Sequence, residues 1–303
     1  MTLQQLRYLL AVAEKGSITE AARALSISQP SLSTAIKQVE RETHLTIFTR
    51  SRAGISLTKE GLEFLGYARQ VAEQMDILES RFVTKTPPRQ RFCVSTQHYT
   101  FAANAFVEMV KRFGTERFEF ILNETQTQQV IEDVKDRFSD IGILYLSSAN
   151  APVLRKSLAR NGLVFHELFS AKPHVFIRTD HPLAGKRSVT LADLRPYPRL
   201  SFLQGSYGSE HYAEELFSME QVEKSIKVSD RAAIVNLMIG LDGYTISSGI
   251  FPKYLHGDAI VSVPLAEVEL MRIGYVLNQG QELSELAKTY VSALREFPAE
   301  DIA

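Results

Sequence analysis

Cysteine is almost missing from this chain: Cys93 stands alone among 303 residues. One thiol builds neither a disulfide frame nor a cysteine metal centre, and its setting in Phe92-Cys93-Val94 reads as a buried strand in a reducing compartment. The seven histidines are scattered without ligand spacing, and His-Glu-Xaa-Xaa-His does not occur. No metal and no cofactor are expected. A Gly-rich loop ending in Lys-Ser or Lys-Thr is absent too. Gly205-Ser206-Tyr207-Gly208-Ser209 lacks the glycines two residues to either side of a serine that a nucleophile elbow needs. Catalysis therefore has no support in the sequence. No apolar run approaches the length that spans a membrane. The stretch from Leu9 to Ala13 is short, bracketed by Arg7 and Glu14, and makes a poor signal peptide. A cytoplasmic protein without a membrane partner is the expectation.

Net charge is nearly absent as well, at −1, but it is unevenly spread. Residues 1–57 hold seven basic groups (Arg7, Lys15, Arg23, Lys37, Arg41, Arg50, Arg52) against four acids (Glu14, Glu20, Glu40, Glu42), which makes this head +3 and the remainder −4. A basic head is compatible with phosphate contact. With 45% apolar and 23% charged residues, the chain is long enough for two or three compact units.

What is present is concentrated between Ser17 and Thr58. Ser17-Ile18-Thr19-Glu20 fits a capping box, so a short helix starts there and runs through Ala21, Ala22 and Leu25. After the tight connection Ser26-Ile27-Ser28, a second helix is expected to Glu42, with Pro30 in its first turn, where a missing amide proton costs nothing. Leu32, Ile36 and Val39 fall on one side of it and Gln29, Ser31, Ser33, Thr34, Lys37 and Arg41 on the others. Two short helices so joined match the helix-turn-helix unit, whose second helix enters the DNA major groove. Leu3, Leu6, Leu9, Leu10 and Ala13 form an apolar stripe able to close a three-helix core. Ile47 to Thr58 reads as two extended segments around a Gly turn, with Arg50 and Arg52 near its tip.

With these residues the chain closely resembles the LysR-type transcriptional regulators. Their amino-terminal pattern runs through Gly16-Ser17, Ala21-Ala22, Leu25, Ser28-Gln29-Pro30, Ser33, Ile36, Glu40 and Leu57-Thr58 of this chain. It departs from the pattern where Leu9 or Leu10 replaces an aromatic and Thr46-Ile47-Phe48 replaces Gly-Xaa-Leu-Phe. On this reading Gln29 pairs with adenine, Pro30 and Ser33 meet base edges or a thymine methyl, Ser31 and Thr34 lie beside them, and Lys37 holds phosphate. Arg50 and Arg52 suit a narrow minor groove. Double-stranded operator DNA is the expected partner, with RNA polymerase as a further one.

From Thr58 to about Arg81, Phe64, Ala68, Val71, Met75, Leu78 and Phe82 recur at steps of four and three, the spacing of a helix seam. Homodimerisation along it is expected, and the resemblance implies a homotetramer built as a dimer of dimers. Thr84 to Gln90, with Pro87-Pro88, reads as a hinge.

Beyond the hinge, strands Phe92 to Thr96, Phe118 to Asn123 and Asp140 to Tyr145 alternate with helical patterns, a βαβαβ unit that predicts a parallel sheet. A second set of strands begins near Leu163, with helices near Ser209 to Met219 and Arg231 to Gly240. Arg272 to Leu277 and Ser284 to Phe297 return to the first unit. The fold class is α+β multidomain: a winged helix-turn-helix at residues 1–58, a linker helix and hinge at 59–86, and an effector domain at 87–303. That domain has two α/β lobes similar to periplasmic solute-binding proteins, lobe I at about 90–162 and 268–303 and lobe II at about 163–267.

Ligands of open α/β sheets gather at the carboxyl ends of strands. Ser95, Gln97 and His98 occupy the positions where the resemblance places an effector in the first lobe. The polar loops add Thr125 on that side and Ser201, Gln204 and Ser247 on the other. Hydroxyls, amides and free helix amides favour a small anionic effector. A competing reading, a solute-binding protein of the same two-lobed fold, leaves the first 86 residues without a role.

Overall fold

The structure, a computed structural model, describes residues 1–51, 54–79, 82–83, 90–113, 117–205, 209–250 and 259–300, with backbone alone at 50, 51, 54 and 297–300. It divides into two compact units, Met1–Gln90 with Asp136–Phe138, and Arg91–Lys135 with Ser139–Ala303.

In the first unit, α1 (Leu3–Lys15), α2 (Ile18–Ala24) and α3 (Gln29–Thr43) enclose a core of Leu6, Leu9, Val12, Ala21, Leu32 and Val39. Ser17 caps α2 by accepting from the Glu20 amide at 3.4 Å, but the expected box is only half made. The Glu20 carboxylate turns to Arg23 instead, at 2.9 Å, an i,i+3 pair that competes for the same oxygens. β1 (Phe48–Ser51) and β2 (Gly54–Leu57) pair antiparallel, which forms the wing. Its base is set by the Glu40 carboxylate, which accepts from the amides of Ile47 at 2.8 Å and Phe48 at 3.2 Å.

The Thr58 hydroxyl accepts from the Gly61 amide and starts α4 (Lys59–Glu79). Gly61 is required there because a Cβ would lie 2.2 Å from the Ile47 carbonyl oxygen. The apolar seam expected on α4 is split. Leu65 and Ala68 are buried in the head core and Phe64 packs against it, while Val71, Leu78 and Phe82 are exposed. Arg7 on α1 fixes the geometry by pairing with Asp76 at 2.6 Å and Glu79 at 3.2 Å.

The second unit holds two lobes. The first is a five-stranded sheet of order β4-β3-β5-β12-β6, with β3 at Gln90–Thr96, β4 at Phe118–Glu124, β5 at Ile141–Leu146, β6 at Leu163–Ala171 and β12 at Met271–Asn278. β3 and β5 are parallel as expected, whereas β12 returns antiparallel between β5 and β6. β6 is thus a correction: expected to open the second set, it belongs to the first sheet. The reason is register, since β12 pairs with it from Met271↔Ala171 to Asn278↔Leu163.

The second lobe sets β7 (His174–Arg178) between β10 (Thr245–Ser247) and β11 (Ile260–Pro264), all antiparallel. Beside them β8 (Arg199–Phe202) runs parallel to β9 (Ser225–Val228), and a parallel bridge joins Arg199 to Tyr244. The chain crosses between lobes twice, from β6 to β7 and from β11 to β12. The helix expected from Ser209 to Met219 is not formed among the described residues: one 3-10 turn at Glu210–Tyr212 gives way to irregular chain. Ala213, Glu214, Glu215 and Leu216 are all buried there, so no solvent side remains for an amphipathic helix. The helix expected after it is present as α5 (Arg231–Leu241), capped by Asp230.

Candidate functional site

In the head, one face of α3 buries Leu32, Ile36 and Val39 and leaves Gln29, Pro30, Ser31, Thr34 and Lys37 exposed, with Ser33 half-buried. Ser28 caps the helix, accepting from the Ser31 amide at 3.2 Å. All six sequence-predicted groovewise residues therefore sit on the amino-terminal half of one helix, together with the positive end of its dipole. Arg52 and the side chain of Arg50 lie outside the described residues, as do Pro87 and Pro88.

In the second unit the expected site residues separate. Ser95 is fully buried and donates to Asp133 at 2.5 Å, inside lobe I. Gln97 is also fully buried. Its Nε2 donates to the Thr127 hydroxyl at 2.5 Å, and its Oε1 accepts from the Tyr99 hydroxyl at 2.9 Å and the Tyr145 amide at 3.1 Å. These two side chains brace the lobe. Thr125 is half-buried, its amide donating to the Thr96 carbonyl. His98, Ser247, Ser201 and Gln204 do reach cavities.

A first cavity, of about 50 Å³, lies between the lobes. His98 from the loop after β3 and Thr100 at the start of the next helix face Phe202, Glu214, Arg231 and Ser247 across it. A second, of about 440 Å³, takes in Ser201, Gln204, Glu210 and Lys227. Phe202 and Glu215 border both. A third, of about 180 Å³, is lined by Tyr145, Asn150, Glu210, Glu215, Glu220 and Glu269 among others.

The lobes are tied across this cleft by acids. Glu214, 3% exposed, accepts from the His98 amide at 2.7 Å, and its Oε2 lies 2.9 Å from His98 Nδ1. It also takes a bond from Gln204 Nε2 at 2.8 Å, while Gln204 Oε1 receives the Thr127 amide at 3.2 Å. The His98 ring stacks on Phe202 with centroids 4.1 Å apart. Arg231 on α5 reaches Glu124 on β4, 2.9 Å from Nε and 2.8 Å from Nη2. Glu215 accepts from the Phe202 amide at 2.8 Å with one oxygen only. Burial, reinforced by the neighbouring Glu214 charge, pushes its carboxyl up to about 8.

The donors expected to converge on an anion are thus partly consumed within lobe I, and Glu214 and Glu215 border the cleft beside the rest. Glu214, Glu215 and Arg231 are the residues the sequence reading missed. Asp230-Arg231 at a helix start was the one available signal, because a buried segment without periodic structure leaves none.

The chain matches the description "Bacterial regulatory helix-turn-helix protein, lysR family" over residues 3–62 and "LysR substrate binding domain" over residues 87–299. It is 25% identical over 295 residues to the uncharacterized HTH-type transcriptional regulator YybE of Bacillus subtilis, covering 96% of this chain and 97% of that one. Among solved structures it is similar to a full-length OxyR variant of Pseudomonas aeruginosa, with a TM-score of 0.66, 19% identity and coverage of 97% and 95%. It is similar also to full-length CbnR complexed with its target DNA, with a TM-score of 0.57, 17% identity and coverage of 98% and 99%.

Proposed function

Because the chain belongs to the LysR family of bacterial regulatory helix-turn-helix proteins, we propose that it reads its operator with Gln29, Pro30, Ser31, Ser33, Thr34 and Lys37, and that a small molecule held between its two lobes sets the response. The protein is a DNA-binding transcriptional regulator with an effector-binding domain, and not an enzyme. The solute-binding alternative falls with the helix-turn-helix match at residues 3–62.

The observation that carries the base-reading assignment is the exposed row on α3, since its opposite face is fixed in the head core and only this row is free to enter a groove. The antiparallel pairing of β1 with β2 supports a wing, and Arg50 and Arg52 are proposed as its flanking minor-groove contacts. Pairing of two heads through α4, a dimer of dimers, contact with RNA polymerase and a cytoplasmic location complete the proposal. CbnR, of the same fold and solved in complex with its target DNA, supports duplex DNA as the partner.

Selection from a random duplex library tests it. The protein enriches a two-fold related sequence. Gln29→Ala then loses discrimination at one position in each half-site, by roughly 1–3 kcal/mol per lost bidentate pair. Lys37→Ala weakens all sequences alike and lessens the salt slope. A Gln29→Ala protein that selects the same sequence places the readout elsewhere.

A further inference from the structure

We infer that the effector is an organic cation, a small ammonium-bearing molecule whose charged group is received by the Glu215 carboxylate; this deepens the reading of the cleft as the effector site and rests on it.

Glu215 is 4% exposed, and its Oε2 has no hydrogen-bond partner. It borders all three cavities, so the unpartnered oxygen belongs to a side chain at their junction. A buried carboxyl oxygen without a partner is costly; with its ionisation pushed up to about 8, Glu215 is mostly protonated at pH 7.5, and an ammonium group that displaces this proton brings the donor and leaves the carboxylate paired. The surroundings select the sign of the ligand. Glu214 stands in the first cavity, and Glu210, Glu220 and Glu269 join Glu215 in the third, where no lysine, arginine or histidine is among the described lining residues.

The cations elsewhere in the walls are engaged. Arg231 is held by Glu124, Lys227 lies 3.3 Å from Glu210, and Arg199 donates to the carbonyls of Phe217 at 2.9 Å and Glu220 at 3.2 Å. An anion in the third cavity would face Glu210, Glu215, Glu220 and Glu269 with no lysine, arginine or histidine among the described lining residues. An ammonium group breaks none of the pairs above and completes one. The body of such a ligand has an apolar surface to meet, since Phe176, Phe202, Ile234 and Met238 line the first cavity.

The probes are benzylamine, benzyl alcohol and benzoate, which share a ring and differ in charge, titrated calorimetrically into the full-length protein at pH 7.5. Benzylamine binds, and the alcohol and benzoate bind at least tenfold more weakly or not at all. Glu215→Gln lowers benzylamine affinity at least tenfold, the worth of a charge-assisted bond. If that variant does not fold, the double variant Glu210→Gln, Glu220→Gln, at two exposed positions, weakens benzylamine severalfold instead. Benzoate binding more tightly than benzylamine overturns the inference, as does failure of benzylamine to bind or equal binding by the variants. Val235→Trp, which fills the first cavity, separates the two readings. Probe binding lost in Val235→Trp but indifferent to charge leaves the cleft as the site and removes the cation, whereas binding untouched by Val235→Trp removes the cleft.

Discussion

Glu215 also carries a stability signature. Its carboxyl, ordinarily near 4.5, lies at about 8 in the folded protein because burial and the Glu214 charge both oppose ionisation, with the Phe202 amide and Arg199 acting the other way. The native state therefore binds this proton more tightly than the unfolded chain does. Stability from this group is fully present below pH 4.5 and declines as pH rises towards 8, where the native carboxyl must also ionise. Thermal melts should show Glu215→Gln losing less stability than wild type between pH 5 and pH 8.5, and being the more stable of the two at the upper end. Parallel pH profiles would show that Glu215 does not titrate in this window. Gln97 makes the opposite point. A polar residue after a strand reads from sequence as a ligand contact, yet its three bonds to Thr127, Tyr99 and Tyr145 hold the lobe together. Residue type announces hydrogen-bonding capacity, and only the fold decides whether the partner is a ligand or the protein itself.

At the scale of elements, what was legible followed periodicity. α1, α3 and the wing stood out because caps, a first-turn proline and a Gly turn are local signals, and the core positions Leu6, Leu9, Leu32 and Val39 follow from helical spacing. The buried chain from Ala213 to Leu216 has no period, so the acids at the centre of the cleft were invisible. The lobe of β6 is not legible from its sequence, because pairing with β12, about 100 residues later, leaves no local mark. The seam of α4 was read as one surface but serves two. Its first half packs on the head, and its second half leaves Val71 and Leu78 52% and 50% exposed. Apolar side chains so displayed along one helix are the signature of a helix partner. Leu78→Lys, which sets like charges against each other where two copies meet, should shift the sedimentation profile from dimer towards monomer while the head keeps its melting temperature. An unaltered profile would move the dimer contact away from α4.

At the scale of the whole molecule, one head presents a single recognition helix, and the exposed row from Gln29 to Lys37 spans little more than two helical turns. Such a row reaches only a few base pairs, and the proposed pairing of two heads on one duplex supplies the rest of the specificity. Charge points the same way. The head is +3 and the remainder −4, so phosphate attraction is confined to the heads and two of them double it. Heads coupled through a dimer face the same side of the DNA only if their half-sites are separated by whole turns, about 10–10.5 base pairs each. Inserting five base pairs between the half-sites of a selected operator rotates one half-site by about half a turn, and both heads can then engage only by twisting the DNA or straining the dimer. Inserting ten restores the phase and changes only the distance. Affinity measured by band shift should therefore fall much further for the five-base-pair insertion than for the ten. DNase protection should show one half-site released in the first case and both covered in the second. Equal losses for the two insertions would mean that the heads read DNA independently, and the pairing assigned to Val71 and Leu78 would then have no bearing on operator choice.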